Sequence, residues 1–261
     1  MSKKNTGKTP LTVANFLNIY TLLLNKYERD IIDVYADVAA QVLNKHSDEV
    51  TLAEIMSMQT EIENKYGHIL SNLKDRDVKC PRFIKVGGKR FKVVTDITQL
   101  TGANIAELDS FTCEPQNIIA RLHLILASIT RTSKYKLGNK TKKESLELWN
   151  ERAVSLHQLS IIDAWDIALF FFQIWSEFKG RWVKLWPKPI ELPEGQQPAP
   201  PPTFNQISEG WKVKILTMAK GDYKEQDYFY QLDADEFCST VIDFNARLNK
   251  LNKLLADSKS A

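Results

Sequence analysis

Residues 161–175 read IIDAWDIALFFFQIW and form the most apolar stretch of this 261-residue chain, so their environment decides the fold. Asp163 and Asp166 interrupt the stretch, and its uninterrupted apolar run covers only residues 167–172. A carboxylate near the centre of a bilayer costs about 2.5–3.5 kcal/mol, which argues against a membrane span. The stretch is therefore predicted to be a buried helix in the core of a mainly α-helical bundle.

Aromatic residues crowd into this helix and into the residues that follow it. Between residues 175 and 186, tryptophan and phenylalanine recur at helical spacing, which places them on one face. Such a face is usually part of a core, but Trp and Arg also anchor partner proteins, and Arg181 lies within the face. We predict that part of this face binds a partner protein through Trp175, Phe178, Trp182 and Trp186.

Two amphipathic patterns near the start of the chain predict an αα-hairpin over residues 12–79. The first pattern predicts one helix from Thr12 to about Asn44, and residues 1–11 are predicted to be a flexible tail. The second helix begins at Thr51, where Thr51 and Glu54 have the spacing of a capping box. Because the break between them is short and polar, the two helices are predicted to run antiparallel.

The apolar period then changes from helical to two. Residues 83–86 (FIKV) and 89–94 (KRFKVV) flank Gly87-Gly88, and paired glycines tolerate the positive φ of a tight hairpin turn. This pattern predicts one β-hairpin. Two strands alone are marginally stable, so the hairpin must lie against helices or join a partner's sheet. We assign residues 80–186 to this hairpin and the helical core around it.

A proline-rich segment divides the rest of the chain. Residues 187–203, which include ELPEGQQPAPPPT, predict an extended linker. Residues 204–261 predict a C-terminal unit of two or three helices whose apolar residues repeat at spacings of four and three. So small a unit is marginal alone and must dock on something. Its predicted partner-binding residues are Trp211, Phe237, Val241, Phe244, Leu248 and Leu251.

The bulk composition is that of an ordinary globular protein, with 43% hydrophobic and 26% charged residues. A net charge of +3 is small for this length and does not indicate a nucleic-acid-binding domain. Three scattered cysteines without a CxxC pair predict a reducing compartment, with neither a disulfide framework nor a thiolate zinc site. The N terminus lacks the apolar run of a secretory signal, so a cytoplasmic location is predicted.

Sequence patterns of catalysis are missing. The four histidines show no HxxxH or HExxH spacing, and no serine lies in a GxSxG context. Asp163 and Asp166 could share a helix face for acid–base or metal chemistry, but no second carboxylate pair or ExxH partner accompanies them. We therefore predict a protein that is not an enzyme and has no catalytic residue, no metal ligand and no cofactor.

Residues 133–143 (SKYKLGNKTKK) form a basic segment between helical patterns. Such a segment is usually a solvated connection between elements. The alternative is contact with the phosphates of a nucleic acid, which would be electrostatic and independent of sequence. The lysines that would make this contact are Lys134, Lys136, Lys140, Lys142 and Lys143.

Two stretches of the chain resemble tail assembly chaperones and related tail-morphogenesis proteins of tailed bacteriophages. The first runs through the hairpin (FIKVGGKRFKVVTDITQLTGANIAELDSF, residues 83–111) and the helix NIIARLHLILASIT (residues 117–130) to DIALFFFQIW (residues 166–175). The second is residues 210–253, a tryptophan-containing helix, a break at AKGD (residues 219–222) and a final helix. The predicted αα-hairpin has no counterpart in this resemblance.

The resemblance implies a non-enzymatic helper in phage tail assembly that binds the tape-measure or tail-tube protein, or itself, in the cytoplasm of a bacterial host. Two alternatives stay open at this stage. One is a structural component of the virion, in the tail or at the head–tail junction. The other is a nucleic-acid-associated protein that uses residues 133–143.

Overall fold

The computed structural model describes residues 11–24, 31–70, 80–114, 117–132, 146–187 and 200–260. Within these ranges the protein is mainly α-helical with a small three-stranded antiparallel sheet, which confirms the predicted fold class. The helices are α1 (Val13–Leu24), α2 (Ile31–Leu43), α3 (Leu52–Leu70), α4 (Gly102–Thr112), α5 (Leu122–Ile129), α6 (Leu146–Leu156), α7 (Ile161–Arg181), α8 (Phe204–Met218), α9 (Tyr223–Gln231) and α10 (Ala234–Ser260). The strands are β1 (Phe83–Val86), β2 (Lys89–Val93) and β3 (Thr130–Thr132).

Three predicted segments lie wholly or largely outside the described residues. They are the N-terminal tail (residues 1–10 of it), the basic segment 133–143 with its five lysines, and most of the proline-rich linker (residues 188–199). The predictions made for these segments stay predictions.

The apolar stretch that begins at Ile161 is the buried helix predicted for it. Along α7 the side chains of Ile161, Trp165, Ile167 and Phe171 are buried, whereas Asp163 is exposed. The carboxylate near the start of α7 suits the positive end of the helix dipole. None of the described helices combines the length and the hydropathy that a membrane span requires.

The predicted β-hairpin is confirmed, and the sheet contains one strand more. Gly87 and Gly88 form the turn with φ of +53° and +74°, and Ile84 pairs with Phe91 across the hairpin. The third strand, β3, pairs with β2 and directly follows α5. The sequence contains no signal for β3, because three residues, Thr-Arg-Thr, show neither a period of two nor a turn residue before them.

The N-terminal region is built differently from the single long helix predicted from Thr12. Within the described residues α1 ends at Leu24 and α2 begins at Ile31, and the two helices pack against each other. One continuous helix is therefore wrong, because its two halves could not touch. Helices α2 and α3 pack together as the predicted hairpin, and the capping box is present: the Thr51 amide donates to the Glu54 carboxylate (2.9 Å) and the Glu54 amide to the Thr51 hydroxyl (3.3 Å).

The start of α1 is tied to the loop before α7. The Val13 amide donates to the Leu159 carbonyl and the Ile161 amide to the Leu11 carbonyl, both at 2.8 Å. These backbone bonds form a short antiparallel bridge that seats the N-terminal helices on the core. Buried residues from the regions before, within and after the predicted central unit consequently form one hydrophobic core.

The C-terminal unit contains three helices, α8, α9 and α10, where two or three were predicted. Thr203 and Gln206 make a reciprocal capping box at the start of α8. Helix α4 receives the unit: the Gly102 amide donates to the Leu232 carbonyl at 2.9 Å, beside a bridge between Thr101 and Asp233. The docking site required by the small size of the unit is therefore on this chain itself.

Candidate protein-binding surface

The aromatic face predicted at the end of α7 lies largely inside the protein. Trp175 and Phe178 are buried, with ring centroids 5.7 Å apart, while Trp182 and Trp186 are partly buried and pack against the core. Trp186 follows the end of α7 and meets the ring of Trp175 edge-on at 5.6 Å. These aromatic side chains therefore contact one another within the chain.

The ring contacts continue from α7 into the C-terminal unit. The centroid of Trp186 lies 6.3 Å from that of Trp211 on α8, which in turn lies 5.5 Å from that of Phe237 on α10. Trp211 and Phe237 are buried. We call Trp175, Phe178, Trp186, Trp211 and Phe237 the aromatic joint, because together they hold the C-terminal unit on the rest of the chain.

A buried carboxylate lies at the centre of the aromatic joint. Asp109 on α4 accepts hydrogen bonds from the indole nitrogens of Trp186 (2.8 Å) and Trp211 (3.0 Å). Burial raises the pKa of Asp109, while the Trp211 bond, the charge of Lys179 and the Trp186 bond oppose this shift. Each indole donor has its acceptor, so this carboxylate fixes the positions of two tryptophans from distant parts of the sequence.

The heptad pattern of α10, which we call the α10 seam, divides into a buried and an exposed half; its residues are Phe237, Val241, Phe244, Leu248, Leu251 and Leu255. Phe237 and Val241 are buried and Phe244 is partly buried, but the side chains beyond them are open to solvent. Every residue from 246 to 257 is exposed. The exposed fractions of the leucines here, which we call the leucine stripe, are 39% for Leu248, 53% for Leu251, 58% for Leu254 and 51% for Leu255.

A cleft between α8 and α10 leads into the leucine stripe. Its volume is about 400 Å³, and Val213 on α8 and Phe244 and Leu248 on α10 contribute its apolar walls. Gly210 lies on the α8 wall, and a side chain placed there would meet no atom within 4 Å, so this part of the cleft is open. The remaining lining residues are Glu209, Lys214, Thr217 and Asn245.

Of the ten predicted partner-binding residues, the structure therefore leaves few at the surface. Leu248 and Leu251 are exposed, Phe244 borders the cleft, and Trp182 and Trp186 are partly buried. The remaining five are buried within the chain: Trp175, Phe178, Trp211, Phe237 and Val241. A partner that meets this conformation can contact the outer half of the α10 seam but not the buried rings.

Basic residues accompany the leucine stripe. Arg247 and Lys250 directly precede Leu248 and Leu251, so they lie on one flank of the row formed by Leu248, Leu251 and Leu255, the flank that also carries Leu254. Asn249 and Asn252 directly follow the same leucines and lie along the other flank. Neither Arg247 nor Lys250 forms an ion pair with the described residues.

A second group of buried polar side chains has no sequence signal and links α4, α5, β3 and α6. The Arg131 guanidinium bonds the Asn104 side chain and the Ser128 carbonyl, and Arg152 donates to the Ala127 carbonyl at 3.0 Å. Burial raises the pKa of Glu107, against the effects of hydrogen bonds from Ser128 and Asn104 and of both arginine charges. Both guanidinium groups bond backbone carbonyls, so the network joins elements of the core.

Two histidines and two aspartates among the described residues have close titratable neighbours. His123 and His157 lie with ring centroids 4.0 Å apart, and burial together with His157 lowers the pKa of His123 to about 4. Although Asp163 is exposed, partial desolvation and the neighbouring Asp166 raise its pKa. Among the described residues, no group of three or more His, Cys, Asp or Glu side chains could hold a metal ion.

No protein-family model, curated protein or solved structure matches this chain.

Proposed function

We propose that this protein acts by binding another protein through the leucine stripe and the adjoining cleft, without catalysing a reaction. The observation that carries the proposal is the row of leucines that are about half exposed on the projecting end of α10. Burying a leucine fully contributes about 1.5–3 kcal/mol, so covering four half-exposed leucines contributes roughly 3–6 kcal/mol. Contiguous exposed apolar surface is a feature of protein-interaction sites.

The projecting position of this surface also supports a binding role. An isolated helix shorter than about 12–15 residues is marginal in water, and most helical stability comes from packing. From residue 246 to residue 257 every side chain of α10 is exposed, although this part of the helix is continuous with its anchored part. A partner that covered the stripe would therefore stabilise the end of α10 as well as bury its leucines.

The narrower form of the proposal concerns the class of partner. The resemblance of residues 83–111 and 210–253 to phage tail assembly chaperones supports a partner among tail proteins, either the tape-measure or the tail-tube protein. Under this proposal the protein works in the cytoplasm of a bacterial host. A structural component of the virion would use the same surface but remain in the finished particle.

Co-expression with a tape-measure or tail-tube protein of a tailed bacteriophage tests the proposal. The soluble fraction of that partner should rise with the wild-type chain and return to its unassisted level with Leu248→Glu/Leu251→Glu. Leu52→Glu/Met56→Glu on α3 is the matched control, because these side chains are 62% and 60% exposed and far from α10 in sequence. If the wild-type chain does not raise the soluble fraction, the partner is not a tail protein. If both double variants act alike, the binding surface is not the leucine stripe.

Purified virions separate the two forms of the tail hypothesis. A chaperone should be scarce or missing in the particle, whereas a structural component should be present in a fixed ratio to other tail proteins. Quantitative mass spectrometry of the particles measures this ratio.

A further inference from the structure

We infer that the leucine stripe and cleft receive an acidic amphipathic α-helix of the partner protein. This inference rests on the proposed binding function and adds the chemistry of the occupant. Three observations carry it: the shape of the surface, the charge beside it, and the poor fit of a second copy of this chain.

The shape of the surface suits a helix. The cleft lies between two helices, and the apolar side chains Phe244, Leu248, Leu251 and Leu255 continue it along α10 at spacings of four, three and four. At 1.5 Å per residue this row is about 16 Å long, or roughly three helical turns. Leucines at this spacing accept the side chains of a second helix as knobs into holes, and an amphipathic helix laid into an apolar groove is a common mode of recognition.

The charge of the surface selects an acidic occupant. Arg247 and Lys250 lie on one flank of the stripe, and Lys214 lines the cleft. The carboxylate that also lines the cleft, Glu209, is paired with Lys212 at 2.6 Å. In the exposed part of α10, residues 246–257, Asp257 is the single acidic residue. A helix that carries carboxylates beside its apolar face would therefore meet cations along the basic flank.

A second copy of α10 does not supply these carboxylates. In a parallel pair of helices, the flank that carries Arg247 and Lys250 faces the partner's asparagine flank, Asn245 and Asn252. In an antiparallel pair, the basic flank faces its own counterpart, which brings like charges together. Neither arrangement neutralises the cations, so an acidic helix from another protein fits better than self-association.

A lipid surface is the other occupant that a basic helix with an apolar face can contact. Here the apolar surface includes a recess between α8 and α10, which a flat bilayer cannot enter. The opposite flank of the stripe carries asparagines instead of further cations. A membrane would therefore leave the cleft empty and meet cations along one flank only.

Two designed peptides test the inference with the full-length chain. Both are helices of about 14 residues with the same leucine face, and one carries glutamates and the other lysines beside that face. Fluorescence anisotropy should show the acidic peptide binding about fivefold or more tightly at about 50 mM salt, with a smaller difference at about 500 mM. Arg247→Glu/Lys250→Glu should reverse the preference, while the control Lys85→Glu/Lys89→Glu, which changes the net charge equally on the β-hairpin, should preserve it.

The outcomes of this experiment are distinct. Equal binding of both peptides, lost in Leu248→Glu/Leu251→Glu, overturns the acidic partner but keeps the proposed surface. Binding of neither peptide overturns the surface itself. Sedimentation of the chain with phosphatidylserine-containing vesicles, without binding of the acidic peptide, assigns the stripe to a membrane and overturns the inference. A concentration-dependent dimer that Leu248→Glu/Leu251→Glu abolishes assigns it to a second copy and also overturns the inference.

Discussion

Replacing Gly102 with alanine should weaken the docking of the C-terminal unit on α4. An alanine Cβ at this position would lie 2.5 Å from Cδ2 of Phe237 and 2.7 Å from the carbonyl oxygen of Phe229. Ordinary van der Waals contact begins at 3.4 Å, so α4 and the C-terminal unit must separate by several tenths of an ångström. Because Phe237 is buried and the Phe229 oxygen belongs to the backbone, neither can turn aside freely. Overpacking of this kind costs about 1–3 kcal/mol.

A glycine within the C-terminal unit gives a control with the opposite expected sign. Gly210 lies within α8, and a Cβ there would have no neighbour within 4 Å. Gly210→Ala should therefore stabilise the protein by about 0.5–1 kcal/mol, the difference between glycine and alanine inside a helix. The same chemical change thus separates a steric effect at Gly102 from the general effect of removing a glycine.

Urea unfolding, followed by tryptophan fluorescence, measures both variants. Trp186 and Trp211 lie in the aromatic joint, so their emission reports on the contact that Gly102→Ala should loosen. In thermal unfolding, a loss of about 1–3 kcal/mol would appear as a fall in Tm of roughly 2–12 °C for a chain of this size. A Phe237→Leu change should make Gly102→Ala less costly, since it removes ring atoms from the clash. Wild-type stability of Gly102→Ala, or shifts of the same sign in both glycine variants, would refute the reasoning.

The remaining predictions concern the α10 seam, the histidine pair and the buried carboxylate. In urea unfolding, Val241→Asp should strongly lower the free energy of unfolding, whereas Leu251→Asp should change it by no more than about 0.5 kcal/mol. Equal effects of the two variants would contradict the division of α10 into a buried and an exposed half. The folded-state pKa of His123 is about 4, below its ordinary value of 6.5, so the unfolded chain binds more protons between these values and stability should fall as pH drops from 6.5 to 4. His123→Gln should flatten this loss in a pH series of urea midpoints, and an unchanged slope would contradict it. Trp211→Phe removes one hydrogen-bond donor to Asp109 and should lower the free energy of unfolding by about 1.5–3 kcal/mol at pH 7. This loss should shrink as pH falls through the raised pKa of Asp109, because the protonated carboxyl is a weaker acceptor. A loss that does not change with pH would contradict the role of this hydrogen bond.

The elements that could be predicted from the sequence are those whose signals are local. The buried character of α7 follows from its apolar run, and the hairpin follows from Gly87-Gly88 between alternating strands. Strand β3 could not be predicted, because it forms only when the end of α5 presents three residues to the free edge of β2. The break between α1 and α2 was also hidden, since the apolar spacing of three and four continues through the residues that separate them.

The aromatic joint shows why a binding surface is harder to predict than a helix. A row of tryptophans on one helix face is typical both of a protein core and of a partner-binding surface. The deciding contacts come from Asp109, which is 77 residues from Trp186 and 102 residues from Trp211 along the chain. Nothing in the residues beside Asp109 marks it as the acceptor for two indoles. The burial of this face by the chain itself therefore depends on long-range packing that spacing alone cannot show.

The α10 seam joins structure to the proposed function through one continuous pattern. Its first residues, Phe237 and Val241, anchor the helix in the core, and its later leucines use the same spacing where no core remains. If the later leucines served only folding, selection for solubility would favour polar residues at these exposed positions, because a half-exposed side chain removes little apolar area from water. Core packing explains neither the cations on one flank nor the open recess at Gly210. An occupant that covers the leucines and neutralises the flank accounts for both.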